Sequence, residues 1–155
     1  MEEKKYAVLI DGDNISSKYL DSILNEMTNY GIATYKRIYC DFTSQQSSKW
    51  RRLVRDSGIQ AMQQFANTVG KNATDSTLII DAMDILYTGN VDGFCIVSSD
   101  GDFTRLAIRL KESGMDVIGM GESKTPRSFR AACTVFTDLE ILYEAESEDD
   151  EISTK

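Results

Sequence analysis

The sequence predicts an α/β domain, with a mostly parallel sheet of five or six strands covered by helices on both faces. Two observations carry this. The apolar runs at residues 6–10 (YAVLI) and 94–97 (FCIV) are uninterrupted rather than alternating, as in strands buried on both sides. Such runs also alternate with segments whose apolar residues recur every three or four positions, the pattern of strands joined by crossover helices. A third observation bears on function. Both runs end in carboxylates, at Asp11-Gly12-Asp13 and Asp100-Gly101-Asp102, where open α/β sheets hold their ligands.

Taken in order, residues 6–10 form the first strand, and Gly12 permits a tight turn among the acids. Ser16 or Ser17 caps a helix running to about Tyr30, with Tyr19, Leu20, Ile23, Leu24 and Met27 at helical spacing. Residues 33–39 form a second strand, 41–48 a Ser- and Gln-rich loop, and 49–55 a basic helix that ends before Gly58. Residues 59–65 are a third strand and 67–74 a loop carrying Gly70 and Lys71. Asp75 opens the longest helical pattern, through Tyr87, with Leu78, Ile79, Ala82, Met83 and Leu86 on one side and Gly89 as its C-cap. The central strand 94–97 leads to a helix from about Phe103 to Glu112, then a strand at 115–119. A polar loop at 121–127 holds the only proline, Pro126, before a short helix at 129–132 and a last apolar run at 134–136. The domain is expected to span residues 1–143. Residues 144–155, acidic and nearly without apolar side chains, are expected to be disordered.

A chain of 155 residues is most simply one domain, large enough to need no staples. Cys40, Cys95 and Cys133 are far apart, odd in number and set in apolar runs, so buried free thiols are expected. Nothing reads as a signal peptide, and no apolar run approaches the ~18 residues of a membrane span, so the expected setting is cytoplasmic and reducing. The absence of histidine excludes Ser-His-Asp hydrolysis and His-ligated zinc. The net charge of −8 is unevenly spread: residues 144–155 hold six acids and one lysine, leaving 19 acids against 16 bases in the body. A four-carboxylate site accounts for that excess, so the acidity does not exclude a nucleic-acid substrate.

Two carboxylates set together at strand ends repel each other and call for a cation or a proton. If the strands ending in Asp11 and Asp100 are neighbours, their loops meet and form a metal site with Asp102. Asp75 reads either as a helix N-cap or first-turn acid, or as a further ligand facing that cluster. Asn14 is a turn residue or an amide that steadies Asp11. Ser98 and Ser99 are strand-end caps or contacts to phosphate or water. Asp81 and Asp84, three apart, read as a solvated helix face. An oxygen-only ligand set favours magnesium or manganese, in one ion or two. Among cations, Lys49, Arg51, Arg52 and Arg55 read as a solvated helix with Trp50 and Leu53 packed inward, or else as a phosphate-tracking flank. Lys71, Lys124, Arg127 and Arg130 flank the loops at the strand ends. A phosphatase with an aspartyl nucleophile at Asp11 is disfavoured, since Ile15 stands where that chemistry's family pattern expects Thr or Val.

The motifs L-I-D-G-D-N at 9–14, K-N-A-T-D at 71–75 leading into I-I-D-A-M at 79–83, and V-S-S-D-G-D-F at 97–103, in this order, resemble an NYN domain of the PIN-like nuclease superfamily. G-M-G at 119–121 and the T-P-R-S-F loop fit as well, so the resemblance covers nearly the whole body. It implies a Rossmann-like three-layer α/β/α fold and a magnesium- or manganese-dependent ribonuclease. By motif, Asp11, Asp75, Asp100 and Asp102 match the metal ligands and Asn14 the supporting asparagine, while Asp13 stands where relatives often have glutamate. The implied substrate is RNA, expected to be single-stranded, with Ser98, Ser99, Lys71, Lys124 and Arg127 as its contacts. In similar bacterial proteins, of the LabA-like and NYN-LOTUS type, a helical RNA-binding module of the LOTUS (OST-HTH) kind often follows, and this chain stops before one could fit. A homodimer is compatible with the sequence. The rival reading is an RNA-binding or scaffold domain that keeps the acids with little or no turnover.

Overall fold

The computed structural model describes residues 3–64 and 73–153, the latter by backbone alone at 73–76 and 149–153. Six strands, β1 (Lys5–Asp11), β2 (Ile32–Cys40), β3 (Gln60–Gln63), β4 (Gly93–Val97), β5 (Asp116–Gly121) and β6 (Val135–Asp138), form one sheet in the order β3-β2-β1-β4-β5-β6. Every pairing is parallel. The helices are α1 (Leu20–Met27), α2 (Ser48–Ser57), α3 (Ala73–Thr88), α4 (Thr104–Glu112), α5 (Arg127–Ala132) and α6 (Leu139–Ser153). Short 3₁₀ turns lead into α1, α2 and α4.

The uninterrupted apolar runs have a simple cause. Successive strand side chains point to opposite faces, and here both faces are covered. Tyr6, Val8 and Ile10 join Leu20, Ile23, Trp50 and Leu139 in one core, under α1, α2 and α6. Ala7, Leu9, Phe94 and Ile96 join Leu78, Ala82, Leu106, Leu110 and Phe129 in the other, under α3, α4 and α5. All five residues of β4 are buried. Gly58 and Gly89 follow α2 and α3 at φ of +68° and +72°, the left-handed conformation that stops a helix and suits glycine.

The acidic segment departs from expectation: residues 144–153 continue α6 instead of being disordered, so 143 is no structural boundary. Asp138 Oδ1 accepts from the amides of Glu140 and Ile141 and so caps the helix. Leu142 and Tyr143 pack on the core, Tyr143 edge-on to Tyr19 with centroids 5.5 Å apart. Ser22 Oγ donates to Glu146 Oε2 at 2.5 Å, tying the acidic part to α1. Glutamate is a good helix former, and composition alone hid these anchors.

Asp81 also departs from the solvated face expected of it. It accepts from Arg37 Nη1 at 3.0 Å and from the Tyr39 hydroxyl at 2.7 Å, fastening α3 to β2, whereas Asp84 is exposed as expected. The three cysteines are buried and unpaired. Burial pushes the thiols of Cys40 and Cys133 up to about 12 and that of Cys95 higher still, which leaves them unreactive. Among the described residues no helix is long and apolar enough to cross a membrane.

Candidate functional site

The strand order places the site. From β1 the chain moves outward to β2 and β3, then returns through α3 to β4 beside β1 and moves the other way to β5 and β6. The crevice between the ends of β1 and β4 is therefore the point where the order reverses, the usual ligand position in such sheets. Ile10 pairs with Val97, so Asp11 and Ser98 are the next residues at that crevice. Both follow the parity of the face covered by α3, α4 and α5.

Asp11 is fully buried. Ser98 Oγ donates to its Oδ2 at 2.8 Å, and Asn14 Nδ2 donates to Oδ1 at 3.2 Å and to Oδ2 at 3.0 Å. Its backbone carbonyl accepts from the amides of Asn14 and Ile15, which closes the turn that brings Asn14 back. Burial pushes the Asp11 carboxyl up to about 6; the donors Asn14 and Ser98 oppose this, and the charges of Asp13 and Asp100 add to it. A buried carboxylate with the charge of another acid acting on it suits a hard divalent cation. Among the described residues no group of three or more acids, cysteines or histidines is placed to hold a metal ion. Asp75 is the further carboxylate that the sequence offers. Its backbone lies in the first turn of α3, on the sheet face that Asp11 faces, and its side chain lies outside the described residues.

Asp100 caps the 3₁₀ turn after β4 through the amide of Asp102, 2.9 Å from its Oδ1. It lines a cleft of 320 Å³ with Asn14, Ser99, Lys124 and Pro126. Five predicted residues thus converge: Asp11, Asn14, Asp100, Ser99 and Lys124. Ser98, expected to meet substrate, is buried instead; its hydroxyl serves Asp11 and accepts from the Asp100 amide at 3.0 Å. Ser99 Oγ accepts from the Glu122 amide at 2.9 Å while still facing the cleft. Asp102 is exposed and opens onto the cleft between α3 and α4, with Arg105. Asp13 is exposed and accepts from the Asp41 amide at 3.1 Å. Arg127 is exposed at the start of α5, outside the lining of the Asp100 cleft. Lys71 lies outside the described residues.

Two cations that looked available are structural. Arg130 Nε donates to Thr125 O at 3.0 Å and Nη2 to Ser123 O at 2.7 Å, shaping the loop that presents Lys124. Arg51 Nη1 donates to the carbonyls of Phe42 and Ser44 at 2.6 and 2.9 Å and pins the loop before α2. Asp41, which no sequence pattern singles out, steadies the same loop, its Oδ1 accepting from Thr43 and Gln63.

The β5 end closes the site tightly. A Cβ on Gly121 would lie 2.5 Å from the Ser98 carbonyl oxygen and 2.6 Å from Thr125 Oγ1. Gly121→Ala is therefore expected to cost about 1–3 kcal/mol through overpacking. Urea unfolding measures it, and a wild-type midpoint would show that the Ser98 strand end yields freely.

Comparisons with known proteins agree with this architecture. The sequence model of the NYN domain family matches residues 5–140. The uncharacterized protein MJ0482 of Methanocaldococcus jannaschii is 27% identical over 125 residues, 77% of this chain and 48% of that protein. The chain thus spans about half the length of the curated relative it matches. A protein of unknown function, VPA0982 from Vibrio parahaemolyticus, shares the fold with a TM-score of 0.72 at 19% identity, over 88% of this chain and 93% of that one.

Proposed function

We propose, from the premise that this chain belongs to the NYN domain family of the PIN-like nuclease superfamily, that it is a metal-dependent ribonuclease. It hydrolyses phosphodiester bonds of single-stranded RNA at the crevice between β1 and β4. The observation that carries this reading is the buried Asp11, held by Ser98 and Asn14 with Asp100 on the adjoining strand end.

Asp11 and Asp100, with Asp75, would hold magnesium or manganese, while Asp102, matched to a ligand by motif, opens onto the cleft between α3 and α4 and stands apart from them. Such an ion lowers the pKa of a coordinated water and neutralises phosphate oxygens, so the reaction needs no histidine base. The chain's own part is positional. Ser98 and Asn14 fix both oxygens of Asp11, Asp100 holds its 3₁₀ turn, and Lys124 across the cleft offers a positive charge to a phosphate.

The test is cleavage of a labelled single-stranded RNA and its DNA analogue with manganese, magnesium or EDTA. Cutting with either ion and none in EDTA is expected, with RNA preferred. A second reading, an RNA-binding domain without turnover, is favoured by one observation: among the described residues no three acids stand together in a group that could hold a metal ion. Binding without cutting at saturating manganese would select it, and multiple turnovers would rule it out.

A further inference from the structure

The site does not end at the carboxylates. Three clefts join edge to edge across the ends of the strands. The Asp100–Lys124 cleft shares Asn14 with a second of 570 Å³, bounded by the loop after β1 and the start of α2. That one shares Ser16, Ser17 and Lys49 with a third of 370 Å³, which Lys18 and Arg52 also line. Lys49 and Arg52, three apart, occupy one face of α2. Both are exposed, and neither of the two ion pairs among the described residues involves them. Lys18 is exposed over the rings of Tyr19 and Tyr143, at 5.1 and 5.2 Å. Asp13 and Glu122 line the second cleft and Asp21 the third, so acids and cations are equal in number along the two, and the residues they share, Ser16, Ser17 and Lys49, include a cation and no acid.

Resting on the ribonuclease reading above, the geometry points to this trough as the track of the RNA strand beyond the bond to be cut, with backbone phosphates on Lys49, Arg52 and Lys18. Of the rest of the basic helix, Arg55 lies outside both clefts. Arg51 pins its loop, and Trp50 is buried with its Nε1 donating to Ile15 O at 3.2 Å. Among the described residues Trp50 is the only aromatic lining the second cleft and none lines the third, so neither lining offers a free ring to stack a base. The track therefore reads phosphates and tolerates any sequence.

Fluorescence anisotropy in EDTA, with labelled single-stranded RNAs of about four and about twelve nucleotides, tests this without turnover. The longer strand is expected to bind more tightly. The double variant Lys49→Ala/Arg52→Ala should weaken its binding about tenfold and flatten the log–log salt slope by about 1.4, the share of two phosphate contacts on a single strand. Arg55→Ala, an exposed charge of the same helix outside both clefts, should change neither. Thermal melting checks that the variants are folded. Wild-type affinity and slope in the double variant, or equal affinity for both lengths in the wild type, would overturn the track. Binding that depends on Lys49 and Arg52 without any cutting in manganese keeps the track and removes the ribonuclease instead.

Discussion

Asp100→Asn is expected to abolish metal-dependent cleavage while leaving the melting temperature unchanged or higher. The two halves of that result have separate causes. Asparagine is as good a cap as aspartate, so its side-chain oxygen can still accept the Asp102 amide that Asp100 Oδ1 accepts at 2.9 Å, and the 3₁₀ turn survives. What disappears is a negative charge that acts on Asp11. Without a metal this relieves repulsion and favours the folded state. With a metal it removes a ligand charge and loosens the ion. Loss of even ~4 kcal/mol of transition-state stabilisation slows the reaction about a thousandfold. Cleavage of labelled RNA in manganese, beside a thermal melt in EDTA, reads both halves. Full activity in the variant would sink the proposed mechanism, and a large drop in melting temperature would show that Asp100 acts through folding.

Why Asp11 and Asp100 belong together was half legible in the sequence. The runs ending in D-G-D announce two buried strands and two acidic loops, but only the order β2-β1-β4-β5 makes them neighbours. Periodicity carries no strand order. Once β1 and β4 are paired, parity supplies more: residues 94, 96 and 98 share a face as do 7, 9 and 11, which turns Ser98 from a substrate contact into the partner of Asp11. The roles of Arg51 and Arg130 could not be read this way. A cation that satisfies loop carbonyls looks the same in sequence as one that awaits a phosphate, and only the folded loops distinguish them. Residues 144–153 are helical against expectation for a different reason. Their charge density suggests disorder, yet the cap at Asp138 and the three- and four-residue spacing of Leu139, Leu142 and Tyr143 start a helix that the acids then continue.

Asp11→Asn separates the electrostatics of the empty site from its chemistry. Burial raises the Asp11 carboxyl from the ordinary 3.8 to about 6 in the folded chain. An acid raised on folding adds stability below its unfolded pKa and loses it as pH climbs through the folded value. The metal-free protein is thus expected to lose roughly 3 kcal/mol from this group between about pH 4 and pH 7, at ~1.4 kcal/mol for each pH unit separating the folded and unfolded values. Asparagine at position 11 has no such titration. It can keep an oxygen for Ser98, and the exposed Asn14 amide can turn to accept its new N–H donor. In EDTA, the stability of the variant minus that of the wild type should therefore widen by roughly 3 kcal/mol from about pH 4 to about pH 7.5. Taking the difference cancels the carboxylates that do not act on Asp11, and leaves its coupling to Asp13 and Asp100 within the measured change. Manganese should narrow the gap or reverse it, because an ion that binds the native wild type stabilises it by mass action. Urea unfolding across that pH range, with and without manganese, measures all of this. A gap that stays constant with pH would mean that the Asp11 carboxylate is at no disadvantage in the empty site, and the electrostatic case for a cation between β1 and β4 would fall with it.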